Sequence, residues 1–476
     1  LSSSAGLNRC LDAFIIALNQ ASDGIQWYTS TKQLQLASLE FCAACRSVPT
    51  LLVKVERGTP TRLWMGTPAR ETRSAKRLGS TRVPAVRAHQ VEWKLSGPAL
   101  RNMGDALSKV KRFTFGDDFN GDVRGVAWPR ELKMMEFGDK FNQPIAEVAW
   151  PASLEYMIFL TASTQSLEGV TWPSSLKTLW FERGVQHLAG VSWPPSLRTL
   201  LIFGGVPNES LAGSTWPASL ERLSFGCGFN QPIDAIAWPP SLEHLDLGCD
   251  FNQPVAGVKW PASLTHLGLG RSFNQPIERA TWPRLVKQME FGPNFNQPLG
   301  GVQWPASLQQ LSLTSNFEHL AGDIAWPTSL QQLSLGPNFN RPIAGATWPP
   351  SLQQLTLGAM FNQPIADVSW PDSLQEITFS GDPLISRFNQ PISEVRWPLS
   401  LLKVTFGDSF DQPIAGVAWP ASLRELAFSR DFSLPDESFA WPAPLEKLTI
   451  ARRPNEPLPS WPGVEIVGIW RAYWDS

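Results

Sequence analysis

Sixteen Trp-Pro dipeptides punctuate this 476-residue chain, the first at Trp128 and the last at Trp461, and most of them stand 22 residues apart. The departures are intervals of 21, 23, 27 and 20. A fixed period of about 20 to 50 residues marks a stack of supersecondary units. Length alone would suggest roughly three globular domains; the period replaces them with one solenoid of about sixteen coils.

The best-preserved unit reads W-P-x-S-L-x-x-L-x-L/F-G-x-x-F-N-Q-P-I-x-x-V-x. In the unit that starts at Trp348, the apolar positions are Trp348, Leu352, Leu355, Leu357, Phe361, Ile365 and Val368. Only Leu355 and Leu357 alternate, as a short strand with one buried face requires. Gly358 then turns the chain. Pro349 and Pro364 have no backbone donor, so a regular helix does not run through either. Each unit reads as a strand, a turn, and a return through irregular or 3₁₀ segments. No coil can bury its apolar set alone, but stacked coils can. A buried Trp removes about 150–250 Å² from water, so the Trp column is expected to be interior and to be the main stabiliser. Phe-Asn recurs with the same phase, for example at Asn252, Asn274, Asn296 and Asn362. An Asn packed beside a ring needs partners, and a ladder of stacked Asn side chains bonding turn amides supplies them. Asp411 keeps the acceptor, whereas Glu318 and Ser433 depart from it. The coils around Thr164, Gln186 and Asn208 lose the pair, so the ladder is expected to break there.

F-N-Q-P-[ILV], followed by Pro, S-L and L-x-[LF]-G, resembles the FNIP repeat, a 22-residue relative of the leucine-rich repeat. The likeness covers about 105–470. It implies a leucine-rich-repeat-like solenoid with a parallel sheet along one face, and it implies protein–protein interaction. The family shares no catalytic residues, so the resemblance assigns no site.

Residues 1–100 lack the period. They hold 13 Lys and Arg against 6 Asp and Glu, a net of +7, and the remainder holds 27 against 36, a net of −9. The near-balanced total argues against a dedicated nucleic-acid binder. No apolar run approaches the roughly 18 residues of a membrane-spanning helix. Helix-like apolar spacing over Leu11–Leu18 and Leu34–Cys45 suggests a helical N-terminal cap over 1–53. A basic stretch rich in Arg, Thr, Pro and Gly suggests an extended, poorly ordered linker over 54–100. The solenoid with its C-terminal cap then occupies 101–476. The opening Leu1 is read as a shortened or processed start, and an intracellular, cytoplasmic setting is favoured over an organelle.

Chemistry is sparse. No nucleophile elbow, phosphate-binding loop, HExxH or dinucleotide glycine set occurs, and the expectation is a non-enzyme without cofactor or metal. Ser153, Ser175, Ser219, Ser263, Ser307 and Ser351 repeat with the period and read as turn residues. Cys42 and Cys45 form a C-x-x-C in an apolar stretch, where core packing is favoured over redox or metal chemistry. Cys227 and Cys249 occupy the same place in consecutive coils, where a disulfide is possible but the odd cysteine count and the lack of a signal peptide favour reduced thiols. His244 and His266 share a column and read as solvent-facing rather than as zinc ligands.

Two places stand out for binding. Tyr156, Ile158, Trp180 and Leu201 put apolar bulk on an otherwise polar strand face, as a protein-contact patch would; residues 1–100 folded over the patch would explain it equally. The 27-residue unit carries extra residues around Asp382, Pro383, Leu384, Ile385 and Arg387, forming a rim loop; a neutral insertion would explain it equally. The favoured function is a protein-interaction scaffold or adaptor with protein partners, no nucleic acid and no membrane insertion. The alternatives are an obligate structural subunit of a large assembly and a carbohydrate- or surface-binding protein.

Overall fold

The computed structural model describes residues 110–470, apart from 162–165, 186, 189, 205–210, 314–316, 318–323, 380–385, 429–431, 436–437, 453–460 and 462, together with three earlier strands. Those strands are β1 (Leu52–Lys54), β2 (Trp64–Gly66) and β3 (Gln90–Trp93). The expected helical cap lies outside the described residues, as do Cys10, Cys42 and Cys45. Strands β2 and β3 fall in the stretch read as a linker, and Gln90 of β3 pairs in parallel with Arg112, one period on.

The described coils divide into two compact units, the first ending at Phe251 and the second beginning at Asn252. In the first, β3 is followed by β4 (Arg112–Phe115), β5 (Met134–Phe137), β6 (Tyr156–Phe159), β7 (Thr178–Phe181), β8 (Thr199–Ile202), β9 (Arg222–Ser224) and β10 (His244–Asp246). Each strand pairs in parallel with the next. The second unit repeats the arrangement with β11 (His266–Gly268), β12 (Gln288–Phe291), β13 (Gln310–Leu313), β14 (Gln332–Ser334), β15 (Gln354–Thr356), β16 (Glu376–Thr378), β17 (Lys403–Thr405), β18 (Glu425–Phe428), β19 (Lys447–Arg452) and β20 (Glu465–Trp470). Here too all neighbours are parallel and in register.

The irregular return path resolves into turns closed by a hydrogen bond between residues three apart. In the coil of β15, Phe361 N donates to Gly358 O at 2.9 Å, Val368 N to Ile365 O at 3.3 Å and Leu374 N to Pro371 O at 3.1 Å. Three corners and one strand close the coil, and no helix, α or 3₁₀, occurs among the described residues. The periodic Ser follows from the last corner: Ser307 Oγ donates to Val286 O at 2.6 Å and Ser373 Oγ to Leu352 O at 2.7 Å, each reaching one coil back.

The interior belongs to Phe and the aliphatic residues. Phe295, Phe317, Phe361 and Phe410 are at most 2% exposed. The ring of the turn, usually after Gly-x-x, stacks against the ring at the end of the strand, as in Phe406 and Phe410 at 4.1 Å, or Phe428 and Phe432 at 4.0 Å, where Ser429 stands in place of the Gly. Offset stacks of this kind add to the burial of apolar area. The Trp column is placed differently from the expectation. Only Trp172, Trp326, Trp397 and Trp461 are buried, and the other twelve on the ruler are half-buried. Adjacent indoles stack on one another, with Trp397 and Trp419 at 5.5 Å. Trp326 Nε1 donates to Thr347 O at 2.8 Å, but fourteen other Nε1 atoms on the ruler are enclosed without an acceptor. An unpaired buried donor costs about 1–3 kcal/mol, which offsets part of each ring's burial. The Trp ruler therefore edges the core and is not its centre.

The Asn ladder is present and explains why Gln follows Asn. Asn274 Oδ1 accepts from Asn296 N at 2.9 Å and from Gln297 Nε2 at 3.0 Å, both in the next coil. Asn252, Asn340, Asn362 and Asn389 repeat the double contact. Asp411 carries it on by accepting from Ser433 N at 2.7 Å. Replacing Asn274 by Ala should therefore lower stability by about 1–3 kcal/mol, the cost of leaving partners unmet. Asn274→Asp keeps the acceptor and should be milder. Urea titration of the two variants measures the difference, and equal midpoints would refute the ladder's energetic role.

Candidate protein-binding face

The outward positions of the strands form straight columns, because a period-2 strand in parallel register sets equivalent residues side by side. In the first unit, Glu136, Ile158, Trp180 and Leu201 are register partners in succession. Tyr156 lies beside them, opposite Thr178. Tyr156, Ile158 and Trp180 are half-exposed. Leu201 is not: it is 3% exposed. The Trp180 ring leans towards Phe203, two positions beyond Leu201, with ring centroids 5.3 Å apart, and Leu201 is buried within the outward column, beside Trp180 in register.

Two residues that the sequence reading passed over belong to the face. The ladder continues one residue past the strands, with Leu160 N donating to Phe137 O, Glu182 N to Phe159 O and Phe203 N to Phe181 O, at 2.8–2.9 Å. This places Leu160, Glu182 and Phe203 in a third column, with Leu160 and Phe203 half-exposed. The signal was available: these are the coils that lose Phe-Asn, and the intervals of the last two, 21 and 23, depart from 22. Trp180 Nε1 donates to Glu182 Oε2 at 2.9 Å. Burial pushes the Glu182 carboxyl above its ordinary range, against the pull of that hydrogen bond. Burial likewise pushes up Glu136, with nearby Arg112 opposing. The apolar strip thus adjoins Glu136 at one end and contains Glu182 between Leu160 and Phe203, both carboxyls held in a poorly solvated setting.

The second unit presents a polar face. Gln288, Gln310, Gln332 and Gln354 are stacked register partners, and Glu376, Lys403, Glu425 and Lys447 continue the column. Lys403 Nζ lies 2.6 Å from Glu376 Oε1. Of the rim loop, Asp382, Pro383, Leu384 and Ile385 lie outside the described residues, and Arg387 is exposed. His244 is in the first unit and His266 in the second. Among the described residues, no group of three or more His, Cys, Asp and Glu could hold a metal ion, and no helix is long and apolar enough to cross a membrane. Stacked pairs such as Trp128–Trp150 and Trp348–Trp370 turn their ring faces to each other, leaving edges outward where a sugar would need a face. The side chains of Trp470 and Trp474 lie outside the described residues.

The repeat model described as "FNIP Repeat" matches residues 207–250, 251–294 and 339–382. The chain carries FNIP repeats. The FNIP coils build a leucine-rich-repeat-like solenoid, similar to the crystal structure of CroV588, described as a novel circular leucine-rich-repeat protein. That match has 25% identity and a TM-score of 0.50, over 81% of this chain and 73% of the other. Looser likenesses are to the Toll–Spatzle complex of Drosophila, at 13% identity and TM-score 0.49 over 78% of this chain and 60% of that one. Internalin InlF from Listeria monocytogenes matches at 14% and 0.35, over 56% and 84%. Neither of these two superposes closely enough to say more. No curated protein matches the chain.

Proposed function

We propose that the protein is a non-enzymatic interaction scaffold whose FNIP solenoid binds another protein on the strand face of the first unit. The observation that carries this reading is the contiguous half-exposed strip of Tyr156, Ile158, Leu160, Trp180 and Phe203 on a rigid parallel ladder. Aromatic side chains in such a strip supply the large, low-entropy contacts that dominate protein interfaces, and Glu136 at its end and Glu182 within it supply polar contacts. Most of the rest of the strand face is polar, with half-exposed Met134 beside Tyr156 an apolar exception, which leaves the strip as the anchor.

The test uses the full chain as bait, with captured proteins identified by mass spectrometry and the dominant partner's affinity then measured. Trp180→Ala is expected to weaken that affinity about 30-fold or more, corresponding to roughly 2 kcal/mol. Far-UV circular dichroism should be unchanged, because Trp180 lies outside the Phe core. An unchanged affinity would move the binding site elsewhere.

A further inference from the structure

Cys227 and Cys249 lie in the turns that follow β9 and β10, 22 positions apart and both within the first unit. The two turns are laid directly on one another. Cys249 N donates to Gly226 O, the carbonyl that precedes Cys227, at 3.3 Å, and Gly228 N donates to Asp250 Oδ2 at 2.7 Å. The approach is close enough that a Cβ on Gly248 would fall 1.9 Å from Gly226 O. With Leu223 opposite Leu245 and Ser224 opposite Asp246, the two cysteines are equivalent residues of adjacent coils, separated by the strand spacing of about 5 Å. That falls inside the span of about 4.4–6.8 Å between Cα atoms that a disulfide bridges. Both are thiols in the structure; Cys227 is exposed and Cys249 half-buried.

We infer that Cys227 and Cys249 form a thiol–disulfide exchange site that closes an inter-coil bridge when the protein meets a small disulfide such as glutathione disulfide. The exposed Cys227 thiolate attacks one sulfur of that disulfide, forming a mixed disulfide and releasing one thiol. The Cys249 thiolate then attacks the Cys227 sulfur, the bridge forms and the second thiol leaves. Two protein thiols are oxidised, one small disulfide is reduced to two thiols, and no other oxidant is required. The order follows from access: the exposed sulfur meets the reagent, and the half-buried sulfur resolves the adduct. The bridge would clamp the last two coils of the first unit.

The experiment treats the full chain with glutathione disulfide and maps it without reductant. A tryptic fragment spanning both cysteines should be lighter by two hydrogens. Cleavage after Glu243, which lies between them, should leave the two halves joined until reductant is added. Cys249→Ser should accumulate a glutathione adduct on Cys227 that the unaltered chain does not hold. The inference is overturned if the halves separate without reductant, if the unaltered chain keeps the same adduct as the variant, or if either cysteine pairs instead with Cys10, Cys42 or Cys45.

Discussion

Phe410→Ala is expected to lower stability by about 3–5 kcal/mol, the range for emptying a closed aromatic site. Phe410 is fully buried. Its ring lies 4.1 Å from Phe406, 5.9 Å from Phe388, 6.1 Å from Phe428 and 6.0 Å from Phe432. Truncation would remove contacts with three successive coils at once. A solenoid coil cannot collapse onto the gap, because its neighbours hold their spacing through the strand ladder. Trp419→Ala, on the ruler at the start of the next coil, should cost less. That ring is half-buried, stacks on Trp397 and encloses an Nε1 without an acceptor. Its loss therefore removes a liability along with the contact area. Urea unfolding of both variants checks the order of the two effects. A Trp419→Ala loss equal to or above that of Phe410→Ala would restore the Trp column as the main stabiliser.

The period, the parallel register and the strand columns were legible because they rest on spacing alone. Equivalent residues 22 apart become neighbours whichever way the coil bends. The burial ranking of Trp and Phe was not legible. Both recur once per coil, and periodicity says that a residue has a fixed place without saying how deep that place is. The Trp sits at the corner closed by Pro, whereas the Phe is drawn inward by the Gly-x-x-Phe turn. At the proposed strip, Trp180 and its neighbours Tyr156 and Ile158 were readable from alternation. Leu160 and Phe203 were missed because the consensus assigns their position to a turn, and alternation put Leu201 in the right column but could not foresee that it would be buried there.

The glycine that follows the strand reads in sequence as a turn former, but the structure gives it another role and a large expected effect. The φ of Gly358 is not in the left-handed region. What it lacks is room: a Cβ there would lie 1.9 Å from Gly336 O and 2.9 Å from Pro337 O, both backbone atoms of the preceding coil. Gly138, Gly226 and Gly292 meet the backbone one coil back within 2.5 Å in the same way. Neither coil can yield without stretching the stack, so Gly358→Ala should cost at least about 3 kcal/mol, the upper end of overpacking penalties. Gly345 makes the opposite case. It sits at φ +78 with nothing within 4 Å of an added Cβ, so Gly345→Ala should cost only about 1–2 kcal/mol of left-handed backbone strain. Thermal and urea midpoints of the two variants separate crowding from conformation. If Gly345→Ala proved the more damaging, the close stacking of the turns would be wrong, and with it the distance on which the Cys227–Cys249 bridge depends.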